Sequence, residues 1–574
     1  MGRSWDIREV DAHQAESLSR ELGLSPLMAR LLLLRDVQTV EQARDFLQPG
    51  LRQLHDPFSM HGMEAAVERL VEALKKGERI CVYGDYDVDG VTATALLILF
   101  FNRSGLDVQY RIPSRLEEGY GLNMPAVEEI ASNGTHLLVT VDCGISDLEP
   151  IQRAVELGMD VIVMDHHQVP AELPSACAVL DPHQSVCSFP TKDLAAVGVA
   201  FNLLIALRSR LRASGFYREC DEPNLREYLD IVALGTVADI VPLVGENRVL
   251  AHCGLAELTA GRRPGVAALK EVAGLMGGQV TTGHIAFRLA PRINAGGRLG
   301  RADKGVELIT TRSFSRALIL ARELDEANTR RQSIERQIFD QARENAPEAF
   351  DRHGKEALVL ACEGWHVGVV GIVASRLVEL FDCPVVLIAL DGERGRGSAR
   401  TTKGVHLFDA LRQCGDMLEA FGGHEMAAGL TIRRSELEAF RKAFREAVLQ
   451  QATESGGQVL YADAEVQPNA WHTEDIEALG KLEPHGAGNP EPVFLARDLQ
   501  IKNVRIVGRD PPYHLKAVAL DGSRPWDLIG FRMGDRAGQV LERMDLLYTP
   551  EMNSWEGYHT IQLRLKDLRP PWRS

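Results

Sequence analysis

Aspartates occupy positions 85, 87 and 89, at every second residue of Val82-Tyr83-Gly84-Asp85-Tyr86-Asp87-Val88-Asp89-Gly90. Carboxylates this crowded repel one another and draw protons unless a cation neutralises them. Oxygen-rich donor sets of this kind suit magnesium or manganese. The flanking residues indicate how such a cluster would be held. Ile80-Cys81-Val82 reads as a strand and residues 91–100 as a buried helix, with Gly90 allowing the turn between them. An Asp-rich turn is the plainer alternative, because Asp and Gly favour turns in any context. The rest of the chain decides between the two.

Similar endings recur downstream. Residues 108–113, 137–141 and 161–164 read as further strands, the last two running into Asp142-Cys143-Gly144 and Asp165-His166-His167. Helical stretches separate them, an amphipathic one at 63–76 and another at 148–157. Alternation of this kind predicts an α/β fold with a doubly wound, mostly parallel sheet. Parallel strands bring their carboxyl ends to one edge, where residues distant in sequence converge. Asp239 closes one more apolar segment, Ala233-Leu234-Gly235-Thr236-Val237-Ala238. Alone, Asp142 fits an Asx turn and Asp239 a helix cap. Several acids and a histidine pair at one sheet edge favour a metal centre.

The bulk properties set limits. At 574 residues the chain exceeds one hydrophobic core, so several domains are expected. A net charge of −16 argues mildly against a generic nucleic-acid coat, while leaving room for a local basic channel. The first residues lack the apolar core of a signal peptide and no apolar run approaches a membrane span, so a cytoplasmic location is expected. The nine cysteines form no Cys-x-x-Cys pair.

Five regions are expected. Residues 1–60 form a helical lead-in that packs on the next domain, and 61–245 hold the carboxylates. Residues 246–350 are helical and include one long helix over 313–347. Its near-heptad seam is Ala317, Leu320, Leu324, Ala327, Ile334 and Ile338, interrupted by Arg331 and stopped by Pro347. A spacer suits this helix better than a dimerising coiled coil. Residues 351–452 form a smaller α/β unit carrying Arg394-Gly395-Arg396-Gly397-Ser398-Ala399-Arg400-Thr401-Thr402-Lys403, whose arginine forks match phosphate. Residues 453–574 read as a small antiparallel β-barrel containing strands at 459–462, 499–507 and 558–565. There Lys502, Arg505, Arg509, His514 and Lys516 fit a strand-binding charge or a solvated face equally well.

The carboxylate run and Asp165-His166-His167 together resemble the DHH phosphoesterase superfamily. Ile112 to Leu122 (with Arg115 and Tyr120), Gly235 to Asp239 and Arg292-Ile293-Asn294-Ala295-Gly296-Gly297-Arg298 narrow the resemblance to its RecJ-like branch. Residues 364–375, with His366, and Gly422-Gly423-His424 resemble that branch's DHHA1 domain, and the terminal barrel resembles an OB-fold. One departure is His485, where the branch carries an aromatic residue.

The resemblance implies a single-strand-specific 5′-to-3′ DNA exonuclease that releases mononucleotides by two-metal hydrolysis with Mn²⁺ or Mg²⁺. Asp85 and Asp87 would serve one ion, Asp89, His166 and Asp239 the other, and Asp142 would bridge. His167 would face the scissile phosphate, oriented by Asp165. Ser398 and Arg400 would hold the 5′-phosphate, with Arg115 and Arg298 reaching it and Gly422, Gly423 and His424 lining the cleft. Tyr120, Arg292, Asn294 and His366 belong to the same substrate-facing motifs. The resemblance further implies a monomer acting in recombination and repair beside a helicase and a single-strand-binding protein. Rival readings are a shorter-substrate DHH phosphodiesterase or pyrophosphatase, and an inactive replication scaffold.

Overall fold

The computed structural model describes residues 4–218, 220–402, 404–451, 459–508, 513–555 and 558–571. The chain forms two compact units, each assembled from separated stretches. One comprises 55–239 with 254–456; the other comprises the residues up to 54, 240–253 and those from 457 onward.

The first unit is built on a five-stranded, fully parallel sheet of β1 (Arg79–Gly84), β2 (Asp107–Arg111), β3 (Leu137–Val141), β4 (Asp160–Met164) and β5 (Ala178–Leu180), in the order β2-β1-β3-β4-β5. Every residue of β3 is buried, as are the last five of β1 and the last four of β4. Such unbroken apolar runs are what a sheet covered on both faces requires. The register matters most for the site. Gly84 lies opposite Val141 and Val141 opposite Met164, so Asp85, Asp142 and Asp165 emerge side by side.

Helix α1 (Val88–Arg103) follows β1 and is buried along nearly its whole length, packed on α2 (Ala196–Ala213) and α3 (Leu229–Ala238). Leu96, Leu97, Phe100 and Phe101 are fully or almost fully enclosed, each contributing about 1.5–3 kcal/mol. Gly90 does not make the turn into α1, contrary to expectation. Asp87 does so as N-cap, its side chain accepting from the backbone N–H of Asp89 (2.9 Å) and Gly90 (3.2 Å). Gly90 instead admits the preceding strand end, since a Cβ there would come within 2.6 Å of the Asp85 backbone N and O.

The second sheet of this unit holds β6 (Leu358–Glu363), β7 (Val385–Asp391), β8 (Arg394–Arg400), β9 (Leu418–Gly423) and β10 (Ala427–Arg433), ordered β9-β10-β8-β7-β6. Only β6 and β7 run parallel within it. Helices α4 (Ala290–Leu299) and α6 (Val367–Phe381) both pack on the long α5 (Phe314–His353). The 40 residues of α5 run past Pro347, where a stop was expected. Ala342 and Ala346 are buried in the core under the second sheet, and Phe350 packs on Phe381 at 5.3 Å. This packing outweighs the one hydrogen bond that proline removes.

The second unit closes Phe494–Val507, His514–Asp521, Arg524–Gly530, Tyr558–Arg569 and Arg543–Trp555 into a five-stranded barrel. The N-terminal helices Ala12–Leu22, Pro26–Leu33 and Val40–Leu47 share its core. Met28, Leu31 and Leu32 lie in one cluster with Trp471, Phe494 and Tyr548. The N-terminal helices therefore pack on the barrel. Val459–Ala462, expected in the barrel, pairs in parallel with Ser4–Ile7 instead. His485 is half-buried, its imidazole pushed down to about 4 by burial and by Arg35, so it packs as a neutral ring. Arg509 and Lys403, both in expected basic patches, lie outside the described residues.

Candidate metal centre and phosphate pocket

Asp85, Asp142 and the Asp165-His166-His167 run follow β1, β3 and β4, and Asp239 caps the C-terminus of α3. Donor atoms of Asp85, Asp87 and Asp142 lie within 4.8 Å of one another, as do those of Asp89, His166 and Asp239. Asp142 also gathers with His166 and His167 at the same spacing and so stands between the two sets. Nε2 of His166 lies 3.2 Å from Asp142 Oδ1, 3.7 Å from Asp239 Oδ2 and 3.9 Å from Asp89 Oδ2.

The backbone fixes several of these groups. The N–H groups of Ala196 (2.6 Å) and Val197 (3.0 Å), at the start of α2, donate to the Asp89 carboxylate; a helix N-terminus favours an anion. Asp142 adopts a left-handed φ of 63°, which Asp tolerates better than most residues. Asp165 is fully buried behind the cluster. It accepts from the N–H of Ile145 (3.0 Å) and His166 (2.8 Å) and lies 2.6 Å from His167 Nδ1.

Burial, reinforced by neighbouring carboxylates, raises the pKa of Asp85 and Asp142 well above the usual range, that of Asp89 to about 7 and that of Asp239 to about 9. Burial and the nearby His167 push His166 down to about 4, leaving a neutral imidazole able to ligate. Burial also works against charge on His167, but the hydrogen bond and charge of Asp165 prevail and lift it to about 9. Among the described residues, His166 Nε2 and Asp85 Oδ1 are buried with no hydrogen-bond partner. Clustered carboxylates forced toward protonation, beside an unpartnered neutral imidazole, form the donor set a hard or borderline divalent cation satisfies.

A basic pocket adjoins the cluster. The guanidinium of Arg115 stacks on Tyr86, between two of the aspartates, at 5.0 Å from the ring centroid. Arg400 donates to Ser398 Oγ at 2.9 Å, and Arg298 donates to the Gly368 carbonyl at 3.1 Å. Burial, then the neighbouring Arg115, Arg331 and Arg400, lower the Arg298 pKa to about 10. Burial and Arg115 likewise lower that of Arg400. Cations crowded together with little solvent favour an anion among them.

Other expected residues have structural partners. Asn294 Oδ1 accepts from Val88 N–H (3.1 Å), tying α4 to the start of α1. Arg292 pairs with Asp325 on α5 at 2.8 Å. His366 caps α6 by accepting from Gly368 N–H at 3.1 Å. The Tyr120 hydroxyl donates to the Asp142 carbonyl at 3.1 Å and lies 3.3 Å from His167 Nδ1. Gly422, Gly423 and His424 are exposed at a hairpin tip, where His424 N–H donates to Ala427 O. Sequence reasoning missed the start of α2, the Tyr86 platform and the proximity of Arg331 to Arg298. Only the last left a trace, as a charge in the apolar seam of α5.

Family models match three segments: the DHH family N-terminal domain at 79–236, the DHHA1 domain at 354–450 and the RecJ OB domain at 462–567. The single-stranded-DNA-specific exonuclease RecJ of Haemophilus influenzae is 37% identical over 559 residues, covering 95% of this chain and 96% of its own. RecJ of Escherichia coli is 36% identical, covering 98% of each. The crystal structure of Thermus thermophilus RecJ with Mn²⁺ superposes with a TM-score of 0.84 at 31% identity, covering 99% of this chain and 80% of that one. The same enzyme with Mg²⁺ gives a TM-score of 0.79 at 30% identity, with coverage of 99% and 79%.

Proposed function

This chain belongs to the RecJ family, and from that premise we propose that it is a metal-dependent exonuclease hydrolysing single-stranded DNA from the 5′ end to 5′-mononucleotides. The observation that carries this reading is the pairing of one carboxylate set and one carboxylate–histidine set with a group of half-buried arginines beside them.

Asp85 and Asp87 would hold one divalent cation and Asp89, His166 and Asp239 a second, with Asp142 placed to serve both. Mn²⁺ or Mg²⁺ bound there supplies Lewis acidity and lowers the pKa of the attacking water. The chain's own groups do the rest. Arg115, Arg298, Arg400 and Ser398 grip the terminal 5′-phosphate and set the cut one nucleotide from the end. Arg396 reaches from β8 to the Leu116 carbonyl at 3.0 Å, holding the phosphate-binding hairpin against the loop that carries Arg115. His167, charged through Asp165, faces the scissile phosphate and offers an N–H to a non-bridging oxygen. Tyr120 steadies that ring, while Asn294 and His366 position the cleft wall and Gly422, Gly423 and His424 line it. The barrel supplies further strand binding.

The substrate comes from recombination and repair in the cytoplasm, where a helicase and a single-strand-binding protein present it to a monomeric enzyme. The test is digestion of 5′- and 3′-labelled single strands with Mn²⁺. Early release of the 5′ label as mononucleotide is expected, with slower cutting of a 5′-hydroxyl end and loss of that discrimination in Arg400→Ala. Early release of the 3′ label, or activity confined to dinucleotides, would refute the reading.

A further inference from the structure

The face of α4 turned to the site continues beyond it. Pro291, Asn294 and Arg298 recur at helical spacing and are half-buried, while Leu289, Ala290 and Ile293 are buried. One turn before Pro291 stands Phe287, which is 79% exposed. It sits on a π-helical turn, Ile285–Leu289, that runs directly into α4. Such turns are rare and frequently mark functional sites.

The stripe orders three stations along one axis. Arg298 belongs to the arginine pocket and touches the second lobe through Gly368. Asn294 contacts the carboxylate loop through Val88. Phe287 lies seven residues further on, about 10 Å along the helix. A strand whose 5′-phosphate rests at Arg298, with its scissile bond at the carboxylates, leads on toward Phe287. An exposed aromatic face there suits a nucleobase of any identity, because every base can stack.

We propose that Phe287 is the stacking platform for a nucleobase on the 3′ side of the scissile phosphate, holding the strand in line for the next cut. The inference rests on the 5′-exonuclease reading above. It makes Phe287 a positioning residue, so strand affinity depends on it and the chemical step does not.

The test uses 5′-phosphorylated single strands carrying one abasic site, stepped along the first few nucleotides, with the full-length protein and its Phe287→Ala, Phe287→Leu and Phe287→Trp variants. In the parent, one abasic position raises KM by roughly 5- to 150-fold, the range base–aromatic stacking implies. Phe287→Ala and Phe287→Leu raise KM for the intact strand by a similar factor and no longer sense that position. Phe287→Trp keeps the parent profile, and kcat at saturation is unchanged in all three. Phe287→Leu preserves apolar bulk, so a parent-like KM and abasic profile in that variant would overturn the proposal even if Phe287→Ala folds poorly. Failure of the parent to digest from the 5′ end would instead overturn the exonuclease reading.

Discussion

Asp142 stands between the two donor sets. Loss of a residue that merely orients a ligand costs 10- to 100-fold in many metal sites, so Asp142→Asn should lower cleavage by more than about 10²-fold while leaving the fold intact by circular dichroism. Asp165→Asn should fall within that 10- to 100-fold range, because it removes the negative charge that keeps His167 protonated.

The same groups make stability of the metal-free protein depend on pH. Asp89, Asp239 and His167 all have folded pKa values raised above their unfolded ones, to about 7, 9 and 9. Each therefore contributes stability at low pH that is lost as pH rises through its folded pKa. His166, shifted the other way, is neutral in both states above about pH 6.5. The metal-free melting temperature should fall between pH 6.5 and 8.5, and Mg²⁺ should restore more of it at the higher pH. Asp142, Asp165 and Asp239 were legible in the sequence because each follows the apolar run of a strand or helix, and Asp89 because of its spacing from Asp85 and Asp87. The two N–H groups of α2 that pin Asp89 were not, since a backbone contact over a hundred residues away leaves no side-chain signature.

At the scale of elements, α4 approaches the carboxylate loop closely enough that a Cβ on Gly297 would meet the Tyr86 carbonyl at 2.4 Å. Backbone cannot yield as a flexible side chain does. Gly297→Ala should cost about 1–3 kcal/mol in stability and displace Tyr86 from beneath Arg115, weakening 5′-phosphate discrimination in a competition assay. Pro347 makes the opposite case. It lies inside α5, away from the chemistry, and Pro347→Ala should raise stability by about 1–3 kcal/mol with activity unchanged. Periodicity revealed α5 but placed its end at the proline. Burial of Ala346 and the contact of Phe350 depend on a second element that no local pattern discloses.

At the scale of the molecule, the N-terminal helices complete the barrel unit, although more than 400 positions separate Met28, Leu31 and Leu32 from Trp471 and Phe494. Leu31→Ala should cost about 2–5 kcal/mol and lower the melting temperature of that unit, while Mn²⁺ binding by the other unit persists. Parallel strand ends made the carboxylate edge predictable from sequence; pairing of the first residues with the last domain follows only from which apolar faces remain uncovered once both are folded.

Anomalous diffraction from crystals soaked in Mn²⁺ tests the centre of this account most directly. Two peaks are predicted, one against Asp85, Asp87 and Asp142, the other against Asp89, His166, Asp142 and Asp239. A single peak, or ions bound elsewhere with these carboxylates still protonated, would contradict it.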